Sequence, residues 1–417
     1  MVSPQRIRPE GSNWEDAMRS LKLLASLALA LAVATTARAE TIKLGVVLTY
    51  SGVNAELGDL ITKAMELYVK LHQKELGDNK IEMIKRDSGP PTGAGAKTQV
   101  TELITQDHVD LLIGFIFSPD AIASAPVVTQ AKVPMIIVNA GTAWITNLSP
   151  YIARTSFSMW QSGYPMGTYA AKTLKCTTAA VGYTDYPPGK DELEAFSKGF
   201  ESAGGKVIDA IPMGNPSQVP DFTPFLQRVK DEKPQCFYVF VPSGVHAAAL
   251  VKTAGELNLK AAGIKVIGPG DVIEDTKLQA MGEAAVGFIA MGHYAADYDN
   301  PANKVFVKDW HDAYGPDSTP EFMSVAGWDG MAAVFHVVKT LNGKLDPDKV
   351  MAALRGWSFD SPRGRITIDP DTRDIIQDEH VEEVVRLPSG KLGVKVLETI
   401  PAVKDPCKEL KVGKCGS

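Results

Sequence analysis

Short apolar, strand-like runs, most of them nearly continuous, recur along this chain at residues 42–48, 81–85, 111–116, 135–138, 179–183, 207–213, 237–241, 264–267 and 288–291. Helix-period patterns at 60–76, 98–106, 191–203, 222–230 and 247–257 fall between most of them. A strand with no polar face has to be covered on both sides, and intervening helices supply that cover, so the alternation predicts an α/β fold with parallel sheets. The strands fall into two comparable series, one ending before about residue 155 and one running from about 178 to 270, each able to close its own sheet. Beyond residue 290 the pattern turns helical at 303–314, 324–341 and 347–354, then gives short β-like pieces at 365–368 and 381–387. Two equal α/β halves completed by one shared tail predict two lobes with a cleft between them.

The chain opens with an address. Residues 18–39 read MRSLKLLASLALALAVATTARA: Arg19 and Lys22 form a positive start, 23–33 an apolar run, and Ala37, Arg38 and Ala39 a small-residue cleavage site. The run is too short to span a membrane, which takes about 20 residues. We expect a secretory signal peptide cleaved after Ala39, with translation starting at Met18, so residues 1–39 stand outside the fold. A net charge of -6 gives no electrostatic footprint for nucleic acid or an anionic membrane. After export, Cys176, Cys236, Cys407 and Cys415 would meet an oxidising compartment, where an even number points to disulfides. Three pairings are possible. Cys176 and Cys236 each stand just ahead of an expected strand and the other two share a short tail, which favours 176–236 with 407–415. No CxxC occurs, and no histidine stands at ligand spacing from a cysteine, so no metal site is expected.

Catalytic and cofactor patterns fail on spacing. The segment GPPTGAGAKT at 89–98 follows a strand and opens a helix, but Ala96 stands where a phosphate-binding loop needs glycine before its lysine. Gly52 and Gly58 are too far apart for a dinucleotide fingerprint. The histidines form no HExxH; His72 and His311 fit solvated helix faces and His336 an apolar helix. GxSxG is absent. No cofactor is expected, and no nucleophile–base pair supports an enzyme. What remains is the stretch 114–142, GFIFSPDAIASAPVVTQAKVPMIIVNAGT, a strand–loop–helix–strand–loop unit. Both loops fall at the carboxyl ends of their strands, where open α/β sheets bind ligands, so Phe117, Ser118, Asn139, Ala140, Gly141 and Thr142 converge on one docking surface.

LTYSGVNAELGD after the first strand, the GFIFS and NAGT loops and DYPPGKDELEAF, in this order and spacing, resemble the periplasmic solute-binding proteins of ABC transporters, in the branched-chain amino acid-binding class. The resemblance covers residues 41–400. NAGTA, DYPPGKD, FVPSG, YDNPANKVFVKDW and SPRGRITIDPDTRDI are closer to the subgroup that binds aromatic and other organic acids or amides. It implies two Rossmann-like lobes of the type I periplasmic binding class, joined by a three-crossover hinge. The expected lobes are 41–157 plus about 292–360 and 158–291 plus about 361–400, with 401–417 as a tail. Crossovers would lie near 154–157, 291–294 and 361–365. It also implies a periplasmic protein, expected to be a monomer, that delivers a small ligand to an inner-membrane ABC permease by hinge closure.

Carried over residue by residue, the resemblance puts Leu57 against the ligand, gives its carboxylate to Ser118 and the 139–142 turn, and closes Tyr186 over it, with Asp185 and Gly189 framing that loop. Amino acid binders of the class neutralise the ligand's ammonium with a glutamate after the second-lobe glycine–proline pair; here that position is Gly270, followed by Asp271. A buried ammonium without a counter-charge is costly, so an uncharged or aromatic tail fits better unless Asp271 takes over. Phe117, Tyr186 and Tyr294 are the expected flat walls, while Trp328 and Asp329 are expected at a helix start in interlobe packing. Capture of a branched-chain amino acid or amide, or ligand sensing for a membrane receptor, are the alternatives.

Overall fold

The structure, a computed structural model, describes residues 1–6 and 39–416. The chain divides into Met1–Ala39 and Glu40–Ser417. The expected signal peptide lies outside the described residues, Ala39 excepted. Among the described residues no helix is long and apolar enough to cross a membrane.

Two sheets organise the second unit. The first is wholly parallel, in the order β2 (Lys80–Asp87), β1 (Thr41–Leu48), β3 (Leu111–Gly114), β4 (Met135–Ile137), β5 (Ile152–Arg154). The second repeats that order with β7 (Lys206–Pro212), β6 (Thr178–Tyr183), β8 (Cys236–Phe240), β9 (Lys265–Pro269) and β10 (Ile289–Gly292), again parallel. It continues antiparallel from β10 into β13 (Ile375–Arg386), which pairs with β14 (Leu392–Val403) and, at its start, with β12 (Gly364–Ile368), whose other edge carries β11 (Ser358–Ser361). In each sheet the order reverses beside its first strand, which opens a crevice at the carboxyl ends of the flanking strands. Every residue of β3, β4 and β8 is buried, as the unbroken apolar runs require.

The late helices return to the first sheet. Phe322–Thr340 packs along Ala55–His72, where the Tyr68 and Trp328 rings meet edge to face at 4.8 Å. Trp328 and Asp329 therefore sit inside that helix rather than at its start: the helix begins at Phe322, where Glu321 and Ser324 form the capping box. Cys176 is bonded to Cys236, tying the approach to β6 to the start of β8, and Cys407 is bonded to Cys415 in the tail, the pairings that the sequence favours.

Candidate functional site

Two arginines organise the ground between the sheets. Arg154, fully buried at the end of β5, is paired with Asp374 at 2.6 Å and donates to the carbonyls of Ala140 and Thr142 at 3.1 and 2.9 Å. A trans peptide points its N–H opposite its C=O, so turning the Ala140 carbonyl onto Arg154 aims the Gly141 N–H away from it. The Ala143 N–H, set the same way by the Thr142 carbonyl, donates to Asp191 at 2.8 Å. The Gly141 N–H has no partner among the described residues. Arg363 forms the second hub: it donates to Asp329 at 2.8 Å, to the Ser156 carbonyl at 2.8 Å, and to Gln377 and the Thr155 carbonyl. It thus ties the segment leaving β5 to the segment entering β13 and to the helix Phe322–Thr340.

Between the sheets lie two cavities of about 10 Å³ each, and Asp271 lines both. One is bounded by Leu57, Phe117, Asn139, Gly141 and Tyr186, together with Ser243 from the loop after β8. The other runs past Gly270 and Asp271 to Tyr294, His293, Phe157 and Glu379. A cavity of that size holds about one water, whereas small-molecule pockets measure roughly 300–1,000 Å³, so admitting a ring requires the walls to part.

The structure therefore brings Leu57, Phe117, Asn139, Gly141, Tyr186, Asp271 and Tyr294 to the cavity walls. Ser118, Ala140 and Thr142 lie one layer behind. The Ser118 hydroxyl accepts the Thr142 N–H at 3.1 Å, and the Thr142 hydroxyl is buried without a partner among the described residues. Asn139 donates to the Ile116 carbonyl at 2.9 Å, which leaves its Oδ1 unpartnered. Tyr294 donates to Asn303 at 3.0 Å and so serves the packing as well as the wall. Asp185, outside the cavities, is exposed and paired with Lys190. Gly58 and Gly189 play matching parts in the two halves: a Cβ would meet the Thr49 carbonyl oxygen at 2.1 Å at Gly58 and the Thr184 carbonyl oxygen at 1.9 Å at Gly189. Only glycine lets these helix starts close on the strand ends.

Sequence reasoning missed Ser243, His293, Phe157 and Glu379 as wall residues and Arg154 as the group that orients the 139–142 turn. Ser243 stands in the FVPSG motif, which was the available signal; the others have no local signature.

No lysine or arginine lines either cavity. Burial pushes the Asp271 and Glu379 carboxyls up to about 7 and holds His293 well below its ordinary value, so His293 is neutral. The His293 ring packs on Phe157 at 4.9 Å and the Phe117 and Tyr186 rings stand 6.5 Å apart. The site thus offers the Gly141 N–H on one side, aromatic walls, and the Asp271 and Glu379 carboxyls on the other. Among the described residues no group of side chains could hold a metal ion.

These features define a two-lobed binding cleft. Residues 41–386 match the model of the family described as periplasmic binding protein, and the chain belongs to it; it is a periplasmic solute-binding protein of an ABC transporter. It is 36% identical over 390 residues to the Leu/Ile/Val-binding protein homolog 6 of Brucella melitensis, covering 93% of this chain and 99% of that protein. A solute-binding protein of an ABC transporter from Rhodopseudomonas palustris BisB5, solved with 3,4-dihydroxybenzoic acid, is 41% identical with a TM-score of 0.83, over 88% of this chain and 99% of that one. Another from R. palustris, solved with benzoate, is 32% identical with a TM-score of 0.79, over 88% and 98%.

Proposed function

We propose that the protein captures a small aromatic carboxylic acid between its lobes in the periplasm and hands it, as a monomer, to an inner-membrane permease after export on the signal peptide. The observation that carries the reading is the composition of the cleft. A backbone donor faces it at Gly141, aromatic rings flank it, and Gly270 leaves no glutamate where an α-ammonium would need one. A desolvated carboxylate needs hydrogen bonds to offset lost hydration, and the Gly141 N–H, set by the turn carbonyls held on Arg154, is preorganised to give one. The relatives solved with benzoate and dihydroxybenzoic acid support the same ligand class. In this reading the lobes comprise 41–157 with about 292–360 and 158–291 with about 361–400, and the chain crosses near 154–157, 291–294 and 361–365. Those segments flex as the lobes close.

Amino acid capture is the second reading, favoured by the unpaired Asp271 carboxyl beside Gly270. A thermal-shift screen over benzoates, branched-chain amino acids, dicarboxylates and amides separates the two. At a hundredfold excess over Kd a ligand of the folded state stabilises it by about 2.7 kcal/mol. Benzoates should raise the melting temperature; a response confined to leucine-like amino acids would refute the aromatic-acid reading.

A further inference from the structure

The second-lobe wall of the cleft carries carboxyl groups and no free cation. Asp271 is buried, lines both cavities, and takes a hydrogen bond only from its own backbone N–H among the described residues. Glu379 lines the adjoining cavity with its Oε2 unpartnered. Glu192 lies behind, held by the Ser162 hydroxyl at 2.9 Å and by that of Tyr238. Arg363, the basic group that acts on Glu379, is committed to Asp329.

A carboxylate turned toward this wall would find no lysine or arginine to hold it, whereas the unpartnered Gly141 N–H lies across the cavity, so the head group of an aromatic acid faces Gly141 and the far side of its ring faces Asp271. A buried carboxyl whose donor is its own backbone N–H still has acceptor capacity to fill, and leaving it unfilled is costly. The cost is removed if the ligand brings the donor. Ser243, whose hydroxyl is also unpartnered, lines the same cavity as Asp271 and adds a second polar group for such a substituent.

We infer that Asp271 is the specificity-determining residue of the cleft, accepting a hydrogen bond from a hydroxyl or amino substituent opposite the ligand's carboxylate. Hydroxy- and aminobenzoates are then preferred over benzoate itself. The inference rests on the aromatic-acid reading and goes beyond it by naming the substituent and the residue that reads it.

Calorimetric titration tests it with benzoate, 4-hydroxybenzoate, 4-aminobenzoate, 4-methoxybenzoate and leucine, on the wild type, Asp271→Ala and Asp271→Asn. Wild type should bind 4-hydroxybenzoate about 10–100-fold tighter than benzoate or its methoxy analogue, which lacks a donor, and in Asp271→Ala that ratio should fall to about threefold or less. Asp271→Asn, which keeps an uncharged acceptor, should fall between. The ratio is taken within one variant, so partial loss of folded protein does not imitate the effect. If Asp271→Ala fails to fold, a reduced ratio in Asp271→Asn supports the inference and an unchanged one overturns it. Equal binding of benzoate and 4-hydroxybenzoate by wild type, or a ratio that survives both substitutions, overturns the inference and leaves the aromatic-acid reading standing. Binding of leucine with no acid bound overturns both.

Discussion

At the residue scale the cleft depends on side chains that never touch it. Arg154 turns two carbonyls inward and thereby frees the Gly141 N–H, and it also lies 3.8 Å from Asp405 while paired to Asp374. Removing one partner of a buried charge network leaves the others uncompensated, so Arg154→Met should cost about 3–5 kcal/mol of stability in a denaturant titration. A variant as stable as wild type would show that the network is not held by that charge. Thr142→Val is the contrasting case: the hydroxyl is unpartnered, so the nearly isosteric swap should change stability by less than about 1 kcal/mol, measured the same way. Much of the wall was legible because the strand-end loops 114–118 and 139–142 carry small polar residues after apolar runs. Arg154 was not, since an arginine closing a short strand looks like any surface cation until the fold buries it. The absent glutamate at Gly270 was legible only against a family pattern.

At the scale of elements, the long apolar strands and the helices with strong amphipathic patterns were readable to within a few residues. The helix Met159–Lys172 was not: Gly163, Pro165 and Gly167 depress its propensity. It survives through packing on the helix Pro187–Ser202, where a Cβ at Gly167 would stand 2.3 Å from the Phe196 carbonyl oxygen. Strand β14, largely exposed along its length, was missed because it lacks a continuous apolar face. The two disulfides close loops of very different length, with sequence separations of 60 and 8. Chain-entropy arguments give about 4 kcal/mol for the longer and about 2–3 for the shorter. Replacing Cys176 and Cys236 by alanine should therefore lower the melting temperature more than replacing Cys407 and Cys415; the reverse order would mean that the tail bridge acts through the folded state.

For the whole molecule, burial raises Asp120, Asp191, Asp271, Glu274, Asp275, Glu379 and Asp405 to about 7. An acid raised in the folded state binds more protons there than when unfolded, so the stability it contributes is fully present below its unfolded value near 4 and is lost as pH climbs through 7. The melting temperature should fall between pH 5 and pH 8, and a rise over that window would show that these carboxyls ionise without penalty. The same burial leaves little room between the sheets, so ligand entry and closure are one event in this account, with the 139–142 turn on one lobe and Asp271 on the other. A crystal structure of the complex with 4-hydroxybenzoate tests this most directly. The account predicts the carboxylate within about 3 Å of the Gly141 N–H, the ring beside Phe117 and Tyr186, and the hydroxyl on Asp271. A carboxylate facing Asp271, or a ligand bound outside the interlobe cleft, would contradict it.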